Sequence, residues 1–333
     1  MLNILGMGWS LPKTEITNDF LHKQVGLERD IHWAQSRLGI EKRYSVLSRD
    51  YIVKTKNADP MQAITHAKAN GETPVTLAAR AGEMAMKQAG VKPSQIGMIV
   101  MNADSPFDLV PSAATAAAKL LGVPAGPHLE MNSACSSFAL HMNYLGQCRP
   151  ETLPEFILCM QAAAYTTRVN YNPKCFDGYI WGDGGAAQVV STRHKGRITV
   201  EPMIYDTAPE QADEIQVETN GFFHQNGALV REFSIRKTCE MYEQIAAKKE
   251  LYAEQVYTVS HQANFVMQNS ILGHLHLPEE RHIRNVKEQG NIGAAGCPSS
   301  IAQFMDKLHK GDQIVYAVLG AGLAWGGGYM EVQ

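Results

Sequence analysis

Short apolar runs alternate with stretches of helical periodicity along most of the chain. Residues 96–101 form one such run, bounded by Gly and polar positions, and they predict a buried β-strand. The same pattern predicts further strands near 127–132, 155–160, 198–205, 256–260, 313–319 and 328–332. It predicts helices over 75–90, near 112–121, over 135–148, within 233–249, within 263–274 and up to about 309. Buried strands that alternate with helices are typical of a layered α/β fold.

The order of these elements in the second part of the chain repeats the order in the first. This repetition predicts two similar halves, residues 1–192 and 193–333. The first apolar run, residues 1–9, has no basic residue before it and predicts a first strand rather than a secretory signal. Residues 48–72 are polar and contain Asp59-Pro60 and Asn70-Gly71, so we expect a surface excursion there rather than a core element.

Composition restricts the possible classes of function. The chain has 333 residues, 45% of them hydrophobic, which is enough for a sizeable core. Thirty basic and thirty-three acidic side chains give a formal charge of −3, so no overall field favours nucleic acid or an anionic membrane. No run approaches the ~20 apolar residues of a membrane helix. The six cysteines show no CxxC spacing, and we expect reduced thiols in a cytoplasmic protein.

Cys135 is the first candidate for chemistry, in the run Met131-Asn-Ser-Ala-Cys-Ser-Ser-Phe138. It lies where a predicted strand ends and a predicted helix begins, a position at which free backbone N–H groups and the helix dipole stabilise a thiolate. We therefore expect a lowered pKa for this thiol. The alternative from the local sequence alone is a buried structural cysteine that opens a core helix.

His261 and Asn291 are the second and third candidates. His261 follows the predicted strand 256–260, at the carboxyl end where α/β sheets gather catalytic groups. Its neutral imidazole could donate a hydrogen bond to a thioester oxygen or assist proton transfer. Asn291 lies in a Gly-rich turn, 290–296, where its carboxamide could donate an N–H. Taken singly, a structural histidine and an ordinary turn asparagine remain the alternatives.

Four segments together resemble the active-site segments of the β-ketoacyl synthase III branch of the thiolase superfamily. They are Met131-Asn-Ser-Ala-Cys135-Ser-Ser-Phe, His261-Gln-Ala-Asn264, Gly290-Asn291-Ile-Gly-Ala-Ala and Gly320-Ala-Gly-Leu-Ala-Trp-Gly-Gly327. Gly182-Asp183-Gly184, Val110-Pro-Ser-Ala-Ala114 and Trp33-Ala-Gln-Ser-Arg37-Leu-Gly-Ile40 also match. The resemblance spans nearly the whole chain and implies a five-layered αβαβα fold built from two duplicated halves.

The resemblance also implies a reaction. Cys135 would accept an acyl group from a thioester, and His261 and Asn291 would hold the thioester carbonyl of a malonyl- or β-ketoacyl-type extender. The backbone N–H groups of Cys135 and Ala321 would form the oxyanion hole. Such a ketosynthase would act in fatty-acid or polyketide and secondary-metabolite biosynthesis, through a Claisen condensation that is expected to be decarboxylative.

Other positions that match the family imply which molecules the protein binds. Trp33, Arg37 and Arg168 match residues that bind coenzyme A, and Val110 matches a residue that bounds the acyl pocket across a homodimer. The family's housekeeping members usually have an arginine for docking acyl carrier protein at the position of Val266. We therefore expect a specialised relative that takes acyl-CoA, acyl carrier protein or both.

Two further functions stay open from the sequence. One is an acyltransferase of the same fold that moves the acyl group to a hydroxyl or an amine. The other is a non-catalytic partner subunit of a ketosynthase heterodimer, although such subunits tend to lose the nucleophile. His274-Leu-His276 has the wrong spacing for one helix face, and no cysteine cluster completes a metal shell. We expect no metal and no cofactor, with coenzyme A thioesters as substrates only.

Overall fold

A mixed β-sheet of nine strands forms the centre of the protein, whose computed structural model describes all residues, 1–333. Its strands are β1 (Leu2–Ser10), β4 (Ile96–Ala103), β5 (His128–Glu130), β6 (Phe156–Ala164), β7 (Asp183–Ser191), β8 (Ile198–Thr207), β11 (Val256–Ser260), β12 (Gln313–Gly320) and β13 (Ala324–Val332). Two small sheets contain β2 (Thr14–Thr17) with β3 (Lys42–Ser45), and β9 (Ile215–Val217) with β10 (Phe223–Gln225).

Eleven α-helices accompany the strands. They are α1 (Asn18–Phe20), α2 (Ile31–Arg37), α3 (Arg49–Thr55), α4 (Pro60–Ala69), α5 (Pro74–Ala89), α6 (Ala113–Leu121), α7 (Ser137–Gln147), α8 (Gly227–Ala246), α9 (Phe265–Leu275), α10 (Val286–Gln289) and α11 (Gly296–Phe304). The α1 helix continues as a π-helical turn, Leu21–Val25, and short 3₁₀ turns include Tyr165–Arg168 and Gly293–Ala295. None of the helices combines the length with the apolar character that crossing a bilayer requires.

The strand order repeats one pattern twice. β4 pairs parallel with β6, β6 antiparallel with β7, and β7 antiparallel with β1. In the second half β11 pairs parallel with β12, β12 antiparallel with β13, and β13 antiparallel with β8. The two half-sheets meet where β1 pairs with β8 over Leu2–Ile4. The two half-sheets therefore share one order of strand pairing.

Five layers follow from the faces of these strands. In β4, Ile99 and Met101 join the core beneath α5 and α6, whereas Met98 and Val100 face a second core that contains α7. The α7 helix packs on β8, β12 and β13 of one half-sheet and on β1 and β6 of the other. The α11 helix likewise contacts β1, β7 and β11, while α8 and α9 cover the outer face of the second half-sheet. Helices α7 and α11 therefore form a central layer between two half-sheets, as the resemblance implied.

Residues 48–72 correct one expectation. They form α3 and α4, which begin at side-chain caps supplied by Ser48 and Asp59. Ile52, Ala63 and Ala67 are fully buried in the core of the first half. The interpretation of this segment as a surface excursion outside the core is wrong, because one face of each helix is buried against the first half of the chain.

Candidate active site

Loops at the carboxyl ends of the parallel strands enclose one cavity of about 420 Å³. Cys135, His261, Asn291 and Ala321 all line it, although they come from four separate parts of the sequence. The structure therefore brings together the predicted nucleophile, the two predicted hydrogen-bond donors and the second predicted oxyanion-hole residue. No group of three or more His, Cys, Asp or Glu side chains is placed to hold a metal ion.

Cys135 lies in the turn between β5 and α7, where the chain folds tightly. Ala134 takes a left-handed conformation with φ +44°, and the N–H of Ser136 donates to the carbonyl of Ser133 at 3.1 Å. The α7 helix that follows is anchored by Phe138 and Met142, both fully buried in the central layer. The nucleophile position is thus fixed by a rigid helix rather than by a mobile loop.

The electrostatic environment of Cys135 differs from the expectation. Burial raises the pKa of its thiol well above the usual value, and the nearby Asp104 carboxyl raises this pKa further, while the Tyr165 hydroxyl lowers it. The predicted lowering of the pKa is wrong for this site, because desolvation penalises the thiolate more than local hydrogen bonding stabilises it. The resting form of Cys135 is the neutral thiol.

His261 follows β11 directly, as predicted, and its backbone N–H donates to the carbonyl of Ala317 at 3.0 Å. Burial lowers the pKa of its imidazole to about 4. Nδ1 is buried without a hydrogen-bond partner. A neutral ring at neutral pH can donate one N–H into the cavity, but it carries no charge there.

Asn291 is held by its backbone on both sides. Its N–H donates to the carbonyl of Ile180 at 2.8 Å, and its own carbonyl accepts from the N–H of Gly182 at 3.0 Å. The side-chain oxygen accepts from the N–H of Gly293 at 3.0 Å. This last bond fixes the orientation of the carboxamide and leaves its NH₂ group free to donate into the cavity.

Ala321 approaches the cysteine turn closely. It follows Gly320, where an added Cβ would overlap the carbonyl oxygen of Ser133 and lie 2.7 Å from the backbone nitrogen of Ser136. The backbone N–H groups of Cys135 and Ala321 donate to no other group of the protein. Both residues line the same cavity, and N–H groups without an acceptor elsewhere in the protein are suited to stabilising an oxyanion there.

The predicted coenzyme A residues take different positions. Arg37 is exposed and lines the cavity, together with an exposed arginine that the sequence did not single out for this place, Arg231. Trp33 does not line the cavity; its ring packs on Tyr179, 6.1 Å between centroids, and under Arg29. Arg37 and Arg231 add positive charge to an exposed part of the cavity lining, whereas the lining at Cys135 is buried.

Arg168 and Val110 lie away from this cavity. Arg168 is only 4% exposed, and Nη1 donates to the carbonyls of Thr219 and Gly221 at 3.0 and 3.3 Å. Nη1 is thus engaged by that loop, whereas Nε is buried without a hydrogen-bond partner, and phosphate binding by this guanidinium stays a prediction. Val110 is 84% exposed and does not line the cavity of its own chain.

Sequence reasoning did not assign several residues of the site. Tyr165 lines the cavity, and its ring packs on Trp181 and Phe223 with centroids 4.3 and 5.8 Å away. Asp104 is half-buried, with its Oδ1 atom shielded from solvent, and it lies near Tyr165 and Cys135. Both Asp104 and Tyr165 directly follow strands of the parallel pair β4 and β6, the same signal that indicated His261.

Comparisons with known proteins agree with this geometry. The family model described as 3-oxoacyl-[acyl-carrier-protein (ACP)] synthase III C terminal matches residues 246–332. The β-ketoacyl-[acyl-carrier-protein] synthase III of Rubrobacter xylanophilus is 27% identical over 97% of this chain and 96% of that protein.

Solved structures share the fold over nearly the full length. The 3-oxoacyl-[acyl-carrier-protein] synthase III of Aquifex aeolicus superposes with a TM-score of 0.85 at 22% identity, covering 99% of this chain and 100% of that one. OleA of Xanthomonas campestris, determined with bound lauric acid and lauroyl-CoA, gives 0.80 at 16% identity, covering 99% and 98%. The chain is thus similar over nearly its whole length to β-ketoacyl-[acyl-carrier-protein] synthase III proteins, and it shares the fold of the solved 3-oxoacyl-[acyl-carrier-protein] synthase III structures.

Proposed function

We propose that this enzyme transfers an acyl group from an acyl thioester to Sγ of Cys135 and then condenses it with a malonyl- or β-ketoacyl-type thioester. The observation that carries the proposal is the single cavity that Cys135, His261 and Asn291 share. A thiol supplies the acyl acceptor, and two neutral N–H donors supply the polarising groups that an enolate needs.

The second half-reaction depends on His261 and Asn291. The extender's thioester oxygen would accept hydrogen bonds from the imidazole of His261 and from Nδ2 of Asn291. As carbon dioxide leaves, the electron pair of the broken C–C bond moves into the enolate, whose oxygen these donors stabilise. The enolate carbon then attacks the acyl carbonyl on Cys135, the C–S bond breaks, and the thiolate that leaves takes up a proton from solvent. His261 suits this role because burial keeps its pKa at about 4 and the ring neutral.

The tetrahedral intermediates of both half-reactions carry a negative oxygen near Cys135. The unused N–H groups of Cys135 and Ala321 support their assignment as the oxyanion hole. Each such donor is worth roughly 10²–10³ in rate in enzymes where it has been removed.

The exposed part of the cavity lining suits a thioester that carries phosphate. Arg37 and Arg231 are exposed there, and neither takes part in an ion pair within the chain. Arg236 and Lys237, by contrast, both pair with Glu240 at 2.7 and 2.6 Å. We assign Arg37 and Arg231 to the phosphates of coenzyme A or of a carrier protein's phosphopantetheine, with Trp33 beside them.

Val110 and its neighbour Leu109 fit a contact between two copies of the chain. Their exposed fractions, 84% and 76%, are high for large apolar side chains. We propose a homodimer in which Val110 reaches the partner's acyl pocket. Its small side chain leaves more room than an aromatic one would, which favours acyl groups longer than acetyl.

Intact-mass measurement after incubation with a graded series of acyl-CoAs tests the first half-reaction. The expected result is one acyl adduct on the wild type and none on Cys135→Ala; an adduct on the variant would refute the nucleophile. Adding malonyl-CoA or malonyl-carrier protein should then release carbon dioxide and a β-ketoacyl product. Release that persists in His261→Ala and in Asn291→Ala would refute the decarboxylating role.

A further inference from the structure

Asp104 and Tyr165 are a polar pair that the reaction described above does not use; Tyr165 is buried and Asp104 is half-buried. Asp104 immediately follows β4, and its N–H donates to the carbonyl of Ala162 at 3.0 Å. Tyr165 immediately follows β6, the strand that pairs with β4. The two side chains meet above Gly293, where an added Cβ would overlap Oδ2 of Asp104 and lie 2.8 Å from Cε2 of Tyr165, and Tyr165 lines the cavity that holds Cys135.

The carboxyl of Asp104 forms no ion pair with a basic side chain. Oδ2 accepts from the N–H of Ala294 at 2.8 Å, and Oδ1 is buried with no hydrogen-bond partner. No basic side chain contributes to its pKa, which burial raises to about 6, while Ala294, Asn102 and Tyr165 lower it. Keeping an unpaired carboxyl in such a place is costly for stability, so it requires a reason other than stability.

Tyr165 stands between this carboxyl and the nucleophile. Its ring packs on Trp181 and Phe223, it shares the cavity with Cys135, and it meets Asp104 above Gly293, so that burial and both of these neighbours raise the pKa of its hydroxyl. The hydroxyl can accept a proton from one neighbour while it donates its own to the other. The three groups thus form a chain: thiol, phenol, carboxylate.

Cys135 needs such a chain because it does not rest as a thiolate. Burial and the adjacent carboxyl of Asp104 raise the pKa of this thiol. The proton must therefore leave as Sγ attacks, and the neutral imidazole of His261, with its pKa of about 4, is a weaker base than the carboxylate of Asp104.

We propose that Tyr165 and Asp104 form a proton relay for Cys135, a step that rests on the acyl transfer proposed above. As the bond between Sγ and the acyl carbon forms, the thiol proton moves to Oη of Tyr165 and the phenolic proton moves to the carboxylate of Asp104. When the tetrahedral intermediate collapses, the bond from the acyl carbon to the leaving sulfur breaks. The relay then returns the proton to that thiolate, and the products are an acyl-enzyme and a neutral thiol.

Asp104 in the first half of the chain occupies the position that His261 occupies in the second half. Asp104 follows β4 as His261 follows β11, and these strands are equivalent in the two half-sheets. Each half thus places one titratable group at the same topological position beside Cys135. His261 serves the extender, and Asp104 serves the nucleophile.

Two reactions of the same sulfur test the relay in opposite directions. Rapid-quench intact mass gives the rate at which octanoyl-CoA acylates Cys135, and iodoacetamide labelling gives the rate of a reaction that needs only the free thiolate. Asp104→Asn should slow acylation at pH 7 by roughly 10²-fold, the usual worth of a positioned acid or base. The same variant should speed alkylation, because it removes the negative charge that opposes the thiolate.

Tyr165→Phe is the matched variant, since it keeps the ring that packs on Trp181 and removes only the hydroxyl. It should also slow acylation by roughly 10²-fold. Tyr165 and Cys135 are the titratable groups whose interaction with Asp104 the structure identifies. The acylation rate of the wild type should fall as pH drops through about 6, the pKa of Asp104. This fall of the acylation rate at low pH should persist in His261→Ala and vanish in Asp104→Asn.

The outcomes separate the relay from the reaction it serves. An acylation rate that Asp104→Asn and Tyr165→Phe leave unchanged, or a parallel fall in acylation and alkylation, overturns the relay alone. A wild type that forms no adduct with any acyl-CoA removes the proposed acyl transfer, and the relay with it.

Discussion

Gly293 donates its backbone N–H to Oδ1 of Asn291 at 3.0 Å. Gly293 can do so because it takes φ +59°, a left-handed conformation that glycine adopts without strain. The bond uses the acceptor end of the carboxamide and leaves the donor end for a ligand. One backbone contact therefore determines which chemistry Asn291 offers to the cavity.

Asn291→Asp separates the two ends of that side chain. A carboxylate still accepts from Gly293, so the turn should keep its shape, but it has no N–H to donate and its charge repels an enolate. We expect decarboxylation of a malonyl thioester to fall by roughly 10²–10³-fold. Acylation of Cys135, followed by intact mass, should stay within a few-fold of the wild type. Equal losses in both half-reactions would contradict the assignment of Asn291 to the extender.

A small substitution should lower activity at Gly320 but have little effect at Ala321. In Gly320→Ala the new Cβ overlaps the Ser133 carbonyl, so the Ala321 turn must move away from Cys135. We expect acylation and condensation both to fall by 10-fold or more, on the order of the loss of part of an oxyanion hole. Ala321→Gly keeps the N–H and serves as the control, with steady-state turnover expected to change little. A Gly320→Ala enzyme with normal turnover would show that the two turns need not approach so closely.

Asn57 links α3 and α4 to the site and offers a test of stability. Its side chain is fully buried, and Nδ2 donates to the carbonyls of Thr166, Thr167 and Val169 at 3.2, 3.0 and 2.8 Å. Asn57→Ala leaves these acceptors unsatisfied and places alanine at φ +48°. We expect the free energy of unfolding to fall by about 2–4 kcal/mol, measured by urea denaturation.

Asn57→Gly serves as the control, because it removes the side chain but tolerates the left-handed backbone. It should be more stable than Asn57→Ala by about 1 kcal/mol. An equal loss in both variants would assign the whole effect to the lost hydrogen bonds.

The sequence predicted those parts of the site that depend on strand ends and on local turns. His261 and Ala321 directly follow apolar strands, Cys135 lies in the turn after β5, and the carboxyl ends of parallel strands meet at one edge of a sheet. Asp104 and Tyr165 obey the same rule, but each is a single polar or aromatic residue after an apolar run, and nothing local distinguishes it from a residue that caps a strand. Only the pairing of β4 with β6 brings them together.

Other features depend on contacts that no local pattern records. The orientation of Arg168 is set by carbonyls of Thr219 and Gly221, which lie in a distant loop. The pKa of Cys135 depends on burial and on Asp104, and these outweigh the local advantage of a helix start. In residues 48–72 the sequence shows the polar positions, but the core that Ile52, Ala63 and Ala67 enter depends on contacts with distant residues.

Val110→Glu tests the proposed contact between copies of the chain. A charge on an apolar contact must be desolvated or the contact must open, so the variant should dissociate. We expect sedimentation equilibrium to give a dimer mass for the wild type and a shift of the dissociation constant by 10-fold or more for the variant. Lys174→Glu, on a different exposed segment, is the control and should remain a dimer. A wild type that sediments as a monomer would exclude the dimer.

The buried histidine of the site should make stability depend on pH. Burial lowers the pKa of His261 to about 4 in the folded protein, whereas an unfolded histidine titrates near 6.5. The unfolded state therefore binds more protons below pH 6.5, so the contribution of the neutral ring is complete above that pH and declines as pH falls toward 4. Each pH unit in that window is worth about 1.4 kcal/mol.

Relative to His261→Gln, the wild type should thus lose about 2 kcal/mol of unfolding free energy between pH 6.5 and 5, measured by urea denaturation at both values. The comparison with the variant cancels the opposing contribution of carboxyls such as Asp104, whose raised pKa acts in both proteins alike. Parallel pH profiles for the two proteins would mean that the imidazole of His261 becomes protonated without cost, and a charged ring would then have to be included in the chemistry of the extender.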